Sequence, residues 1–238
     1  MGSTETLAHG LMSVLQDVEP EYARSYATNE LMSIYLAASH STSIGITASL
    51  YNIAKYSSVQ RKLLEEINST EISSPVKFQE ALAMPYLTAV IRESVRLYPS
   101  FTSPWPREVA DDGTGGWEIL PGVFVPVGTE VGVPAYVSNR DTGAFGLDAD
   151  EFRPERWLPL DSERAKEMDK MMFTFGFANS SRMCVGKNLA LMEICKGVVE
   201  VLRRYEVSLV DETVRLEDRD MAFVHCVVEN LLVTFTPR

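Results

Sequence analysis

The chain has 238 residues, 45% hydrophobic and 23% charged, enough for one large core or two small ones, and one domain over 1–238 is the expectation. A net charge of −11 leaves no basic face to neutralise phosphates, which excludes a nucleic-acid-binding class and points to a solvated acidic surface. The three cysteines are too few, and lack any C-x-x-C spacing, for a disulfide framework or a zinc site, so a reducing, intracellular location is expected.

From the start, "MGSTETLAHG" has neither the basic nor the apolar stretch of a secretion signal. The apolar run "LMSIYLAAS" is interrupted by Ser33, Ser39 and His40, well short of the roughly 18 apolar residues of a membrane span. A cytoplasmic chain is therefore expected. Residues 9–97 carry helical patterns: a segment around "LMSVLQDV", a long one from about Asn29 to Tyr56, one through "SVQRKLLEEI", and one through "QEALAMPYLTAVIRESVRLY". In the long segment Leu31, Met32, Ile34, Tyr35, Leu36, Ile44, Ile46, Leu50, Tyr51 and Ile53 point nearly all round the axis, which predicts burial on most sides.

Between 100 and 140 the pattern changes to "GGWEIL", "GVFVPV" and "TEVGVPAYV", short strands separated by Gly and Pro turns. A loop rich in Pro, Asp and Arg follows. The region 173–205 holds "FTFGFANSSRMCVG" and then an apolar helix from about Lys187 to Tyr205, and 221–236 alternates like a terminal hairpin. The fold class is mainly α with small β-sheets (α+β).

Cys184 opens the last helix from a polar, glycine-flanked loop. A thiolate is a soft metal ligand, a helix N-terminus favours it, Arg182 adds positive charge, and Gly186 lets a bound group approach. The competing reading is a buried cysteine used as a small hydrophobe, which is the reading adopted for Cys195 and Cys226. Glu93 and Arg96 stand three apart on a helix, a spacing that also fits an ordinary ion pair. Arg156 follows an X-Pro segment that cannot be helical.

In this order, Glu93-x-x-Arg96, Pro154-Glu155-Arg156-Trp157 and Arg182-x-Cys184-x-Gly186 resemble the C-terminal half of a cytochrome P450 of filamentous-fungal type, over essentially the whole chain. The resemblance implies that part of the fold, from the oxygen-binding long helix to the C-terminal hairpin. It also implies haem, with Cys184 as the metal ligand and Arg107 on a propionate. Phe177 would be the aromatic residue seven before the cysteine. Glu93, Arg96 and Arg156 would form a structural salt-bridge triad.

Two departures matter. The family's glycines six and four residues before the cysteine are here Ala178 and Ser180, and a Cβ at positive φ costs roughly 1 kcal/mol or more. In "LAASHSTSIG" His40 stands for the family's acid and Ser41 for its threonine, the pair that relays protons to bound oxygen. An imidazole in a core hydrogen bond is the alternative for His40.

The family's members are usually about twice as long, so the expectation is a truncated or P450-derived protein. Its uncovered apolar helices would then require a homodimer or a partner chain. Two functions follow. One is a haem-thiolate monooxygenase of lipophilic small molecules in secondary metabolism, taking electrons from NADPH through a reductase and not competent alone. The other is a redox-independent catalyst, such as a cyclase, Diels–Alder-type pericyclase, isomerase or dehydratase, using His40 and Ser41. A non-catalytic, partner-binding remnant is the background expectation.

Overall fold

In a computed structural model of the chain, the described residues are 6–176, 182–216, 220–221, 224–225 and 231–238. They fall into two compact units, Met1–Ser41 and Thr42–Arg238.

The first unit contains α1 (Leu7–Val14), whose first turn is closed by the Thr6 hydroxyl accepting the His9 N–H. It also contains the start of α2 (Pro20–Lys55). This helix begins earlier than the expected Asn29. Pro20 presets the backbone of the first turn, and a Glu19 carboxylate oxygen accepts the N–H groups of Glu21 and Tyr22 at 3.1 and 3.2 Å. Ala23 and Ala27 are buried, but Met32, Ile34, Tyr35 and Leu36 are exposed, so burial on most sides is not the state of this part of α2. Polar residues are tolerated inside the helix because Thr28, Ser33 and Ser41 donate to the carbonyls four residues back.

The second unit continues α2 from Thr42 and adds α3 (Ser57–Ser69), α4 (Phe78–Leu82) and α5 (Pro85–Leu97). The single helix expected through "QEALAMPYLTAVIRESVRLY" is broken at Met84, which is extended because proline follows it. Pro85 then opens α5, and the Glu66 carboxylate of α3 accepts the next two N–H groups, Tyr86 and Leu87, each at 2.8 Å. An anion from one helix thus caps the positive end of another.

Four short strands follow: β1 (Arg107–Glu108), β2 (Gly116–Leu120), β3 (Val123–Pro126) and β4 (Glu130–Val131). They pair antiparallel as β1 with β4 and β2 with β3. The rest of "TEVGVPAYV" is the short helix α6 (Ala135–Ser138), which starts after Pro134 rather than extending the strand. Then come α7 (Thr142–Phe145), a 3₁₀ turn at Pro154–Trp157 and α8 (Glu163–Met171), which lies in the stretch expected to be loop and is capped by the Ser162 hydroxyl.

Helix α9 (Lys187–Leu202) stops before the expected Tyr205, because that residue begins β5 (Tyr205–Leu209). Beyond it are β6 (Asp220–Met221), β7 (Val224–His225) and β8 (Val233–Pro237); β6 pairs with β7, while β8 pairs with β5 over Leu209↔Val233 to Tyr205↔Pro237. Much of the hairpin expected over 221–236, Cys226 included, lies outside the described residues.

The main core joins α3 (Val59, Leu63, Ile67), α5 (Leu87, Val90, Ile91, Val95) and α9 (Ile194, Val198, Val199, Leu202). A second cluster of Ala89, Phe145, Trp157 and Met168 covers the opposite side of α5. Helix α5 is therefore buried on two faces, which makes it the axis of the unit. Against α9, α2 presents Gly45, where an added Cβ would come within 2.6 Å of the buried Ile194 side chain. The prediction is that Gly45→Val lowers unfolding stability by about 1–3 kcal/mol in urea melts. Ile194→Ala in the same chain should recover part of that loss.

Candidate functional site

Glu93 and Arg96 face the same side of α5 because three residues make almost one helical turn. Their fork is bidentate: Arg96 Nε donates to Glu93 Oε2 and Nη2 to Oε1, both at 2.8 Å. Arg156, brought in by the 3₁₀ turn, donates from Nε to Glu93 Oε1 at 2.8 Å. Two further donors reach the same carboxylate, the Trp157 indole N–H at 2.9 Å and the Arg153 backbone N–H at 3.0 Å. Glu93 and Arg96 are fully buried, so every one of these bonds replaces water.

The remaining guanidinium hydrogens are spent on backbone. Arg96 Nη1 donates to the carbonyls of Asn139 and Ala149 at 2.6 and 2.7 Å. Arg156 holds the carbonyls of Phe145 and Asp148 at 2.6 and 2.8 Å, and its Nη1 pairs with the Asp148 carboxylate at 3.1 Å. Burial alone would lower the Arg156 pKa, but Glu93 and Asp148 outweigh it and the net shift is upward. For Asp148 burial pushes upward, and Arg156 with Arg153 wins, holding the carboxyl below the usual range. Two acids and two arginines thus stitch the irregular 139–157 segment onto α5.

Cys184 stands on a narrow hairpin beside this assembly. Gly176 pairs antiparallel with Met183, and the Cys184 N–H donates to the Phe175 carbonyl at 2.9 Å. Gly176 has φ +78°, a conformation that a side chain would strain, so glycine is required at that turn. The Cys184 carbonyl accepts the Lys187 N–H at 3.3 Å, which places the residue just before the N-terminus of α9. The thiol is exposed, and so are its neighbours Met183, Val185 and Leu189. A soft sulfur framed by uncovered apolar side chains suits a flat, apolar, metal-bearing ligand.

Gly186 is not required by the backbone, since its φ is −85°. A Cβ there would stand 3.9 Å from the Cys184 sulfur, so glycine keeps that side of the thiol uncrowded. By contrast Cys195 is buried in α9, where loss of water pushes its thiol up to about 11. Among the described residues no three His, Cys, Asp or Glu side chains cluster to bind a metal. The cavity beside the hairpin, lined by residues including Met172, Phe175 and Lys187, is about 80 Å³ and too small for a drug-sized ligand.

The other residues singled out from sequence are more dispersed. Arg107, on β1, is exposed and donates to the Pro106 carbonyl at 2.7 Å. Arg182 is exposed on the hairpin. Phe177, Ala178 and Ser180 lie outside the described residues. His40 and Ser41 belong to the first unit, with His40 exposed and the Ser41 hydroxyl donating to the Ala37 carbonyl at 2.7 Å. Sequence reasoning missed Asp148, Asn139 and the indole of Trp157, all buried or half-buried partners of the triad. Trp157 adjoined a recognised motif, whereas Asn139, in "YVSNRD", carried no spacing signal.

Among the described residues one buried side-chain oxygen, Thr102 Oγ1 between α5 and β1, makes no hydrogen bond, and its neighbours Phe101 and Trp105 pack edge to face at 5.6 Å. An orphaned buried hydroxyl costs about 1–3 kcal/mol.

A family model described as Cytochrome P450 matches residues 8–231. The cytochrome P450 monooxygenase ACRTS1 of Alternaria alternata is 34% identical over 207 residues, covering 84% of this chain and 53% of that protein. The monooxygenase gsfF of Penicillium aethiopicum is 31% identical over 228 residues, 93% of this chain and 44% of that one. Among solved structures, a cytochrome P450 (CYP102L1) superposes with a TM-score of 0.72 at 20% identity, covering 89% of this chain and 45% of that chain. The chain thus spans about half the length of these relatives.

Removing the central charge while keeping its shape isolates the network. Glu93→Gln should destabilise the fold by about 3–5 kcal/mol in denaturant melts, because it leaves two guanidinium groups buried against a neutral amide. Trp157→Phe, which removes only the indole donor, should cost less, about 1.5–3 kcal/mol.

Proposed function

This chain belongs to the cytochrome P450 family, and from that premise we propose that it is the haem-thiolate portion of a monooxygenase acting on lipophilic small molecules of secondary metabolism. The observation that carries the reading is the Cys184 thiol, exposed in an apolar frame on a hairpin braced by a five-donor carboxylate. Haem, when bound, would supply the oxygen chemistry, its electrons coming from NADPH through a reductase. The residues of this chain supply binding and placement.

In this reading Cys184 would hold the haem iron through its sulfur, from the hairpin that leads into α9. Met183, Val185 and Leu189 would shield the sulfur and the bound group from water. Arg107, exposed on β1, offers a guanidinium fork to a haem carboxylate. Thr102 would present its free hydroxyl, with Phe101 and Trp105, to the bound molecules. Glu93, Arg96 and Arg156 touch no reacting atom; they fix the scaffold.

A second reading is favoured by α2. The Ser41 hydroxyl is spent on the Ala37 carbonyl and an exposed imidazole, His40, precedes it, a pair better suited to acid–base or hydrogen-bond catalysis than to the family's acid–alcohol relay. A cyclisation or isomerisation without oxygen activation would then be the reaction. We also propose a homodimer or partner chain covering the exposed Met32, Ile34, Tyr35 and Leu36. Among the described residues no helix is long and apolar enough to cross a membrane.

Titration with haemin separates the readings. The wild-type chain should bind one haemin, and Cys184→Ala or Arg107→Ala should each weaken binding by about tenfold or more, roughly 1.4 kcal/mol. A wild-type chain that stays colourless would remove the haem-thiolate reading and leave the redox-free one. Sedimentation should give a species larger than one chain, and Leu36→Glu should shift it to monomer; a wild-type monomer at micromolar concentration would refute self-association.

A further inference from the structure

Helix α5 ends just before Pro99, and its last carbonyls have no partner within the helix. Side chains from other segments take them in sequence. Val95 O accepts the Thr174 hydroxyl at 3.0 Å, Arg96 O accepts Asn139 Nδ2 at 3.0 Å, and Leu97 O accepts Arg140 Nη2 at 2.7 Å. Asn139 is fully buried and does more than fill one of these positions. Its Nδ2 also donates to Thr174 Oγ1 at 3.0 Å, and its Oδ1 accepts the Phe173 N–H at 2.8 Å. The amide orientation is fixed, since a backbone N–H can only donate and a carbonyl can only accept. The Asn139 carbonyl, in turn, is held by Arg96.

Phe173 and Thr174 are the residues that lead into the Cys184 hairpin. The next residue, Phe175, offers the carbonyl that accepts the Cys184 N–H at 2.9 Å, and its ring lies under the Lys187 ammonium at 5.3 Å. A continuous set of bonds therefore runs from the Glu93–Arg96 fork through Asn139 to Phe173 and Thr174, and from Phe175 to Cys184. Its members as far as Phe175 are buried or half-buried, where a hydrogen bond transmits displacement with little slack, while its end, Cys184, is exposed.

We propose that Asn139 is a positioning residue that sets the height and orientation of the Cys184 sulfur through Phe173 and Thr174. The proposal rests on Cys184 as the functional thiol, but the geometry it asserts can be measured without any cofactor. Asn139 touches no reacting atom. It acts by holding one strand of the hairpin to the C-terminus of α5, so that the opposite strand, which carries Cys184, keeps its pairing.

Amide hydrogen exchange on the whole chain tests this. Asn139→Ala and Thr174→Val should each speed exchange at the Phe173 and Cys184 amides by about tenfold, while Leu63 and Ile67 in α3 keep their wild-type rates. Thr174→Ser retains the hydroxyl and should restore wild-type exchange. Thr174→Val changes no volume of consequence, so it decides the matter if Asn139→Ala unfolds. Unchanged rates at Cys184, or acceleration shared equally with α3, would overturn the proposal. In a second arm, haemin-loaded Thr174→Val should show at least about a twofold smaller thiolate-ligated fraction by its absorption spectrum than haemin-loaded wild type, with Thr174→Ser again matching wild type. An equal fraction would overturn the positioning role; a wild-type chain without thiolate ligation would overturn the haem reading and leave the exchange result to judge Asn139.

Discussion

A single buried carboxylate governs how this chain is put together. Glu93 sits at zero exposure in a helix packed on two faces, and it accepts hydrogen bonds from two guanidinium groups, an indole and a backbone amide. Such a group is expensive to bury alone and tolerable only when its oxygens are fully engaged. That requirement forces the 153–157 segment against α5. The surplus positive charge of the two arginines then draws in the Asp148 carboxylate and the carbonyls of Asn139, Phe145, Ala149 and Glu151. A stretch with little regular structure acquires a fixed path because polar groups, rather than a continuous apolar face, specify it.

The same bonds explain why an exposed thiol can sit on a short hairpin without losing its place. Among the described residues the hairpin is closed by one antiparallel bridge and one glycine of positive φ, which by themselves would leave it loosely held. Rigidity is borrowed from α5 through side chains that occupy its terminal carbonyls. Exposure and rigidity are thus combined at Cys184, whereas Cys195, inside α9, is shielded by packing and chemically quiet.

Much of this was legible from sequence. The i, i+3 spacing of Glu93 and Arg96, the proline-led segment of Arg156 and the loop of Cys184 could be read because each is local, and their order carried the resemblance to the family. Long-range pairings were not legible. Nothing in "YEVSL" announced pairing with "VTFTP", since the strands are short and only Val207 and Leu209 of β5 are buried. Helix α8 resembles loop in sequence because "ERAKEMDKM" is mostly charged and buries only Ala165 and Met168. The exposed half of α2 reads as a buried helix because an all-round apolar pattern does not say whether anything covers it. Asn139 escaped notice because an asparagine's value lies entirely in what tertiary structure places around it.

The account stands on Cys184 being a metal-binding thiolate held in place by this framework. The most direct measurement is the absorption spectrum of the haemin-loaded chain after reduction under carbon monoxide. The red-shifted band of a thiolate-ligated haem, lost in Cys184→Ala, is the predicted result. A spectrum typical of nitrogen or oxygen ligation, or one unaffected by that substitution, would contradict it.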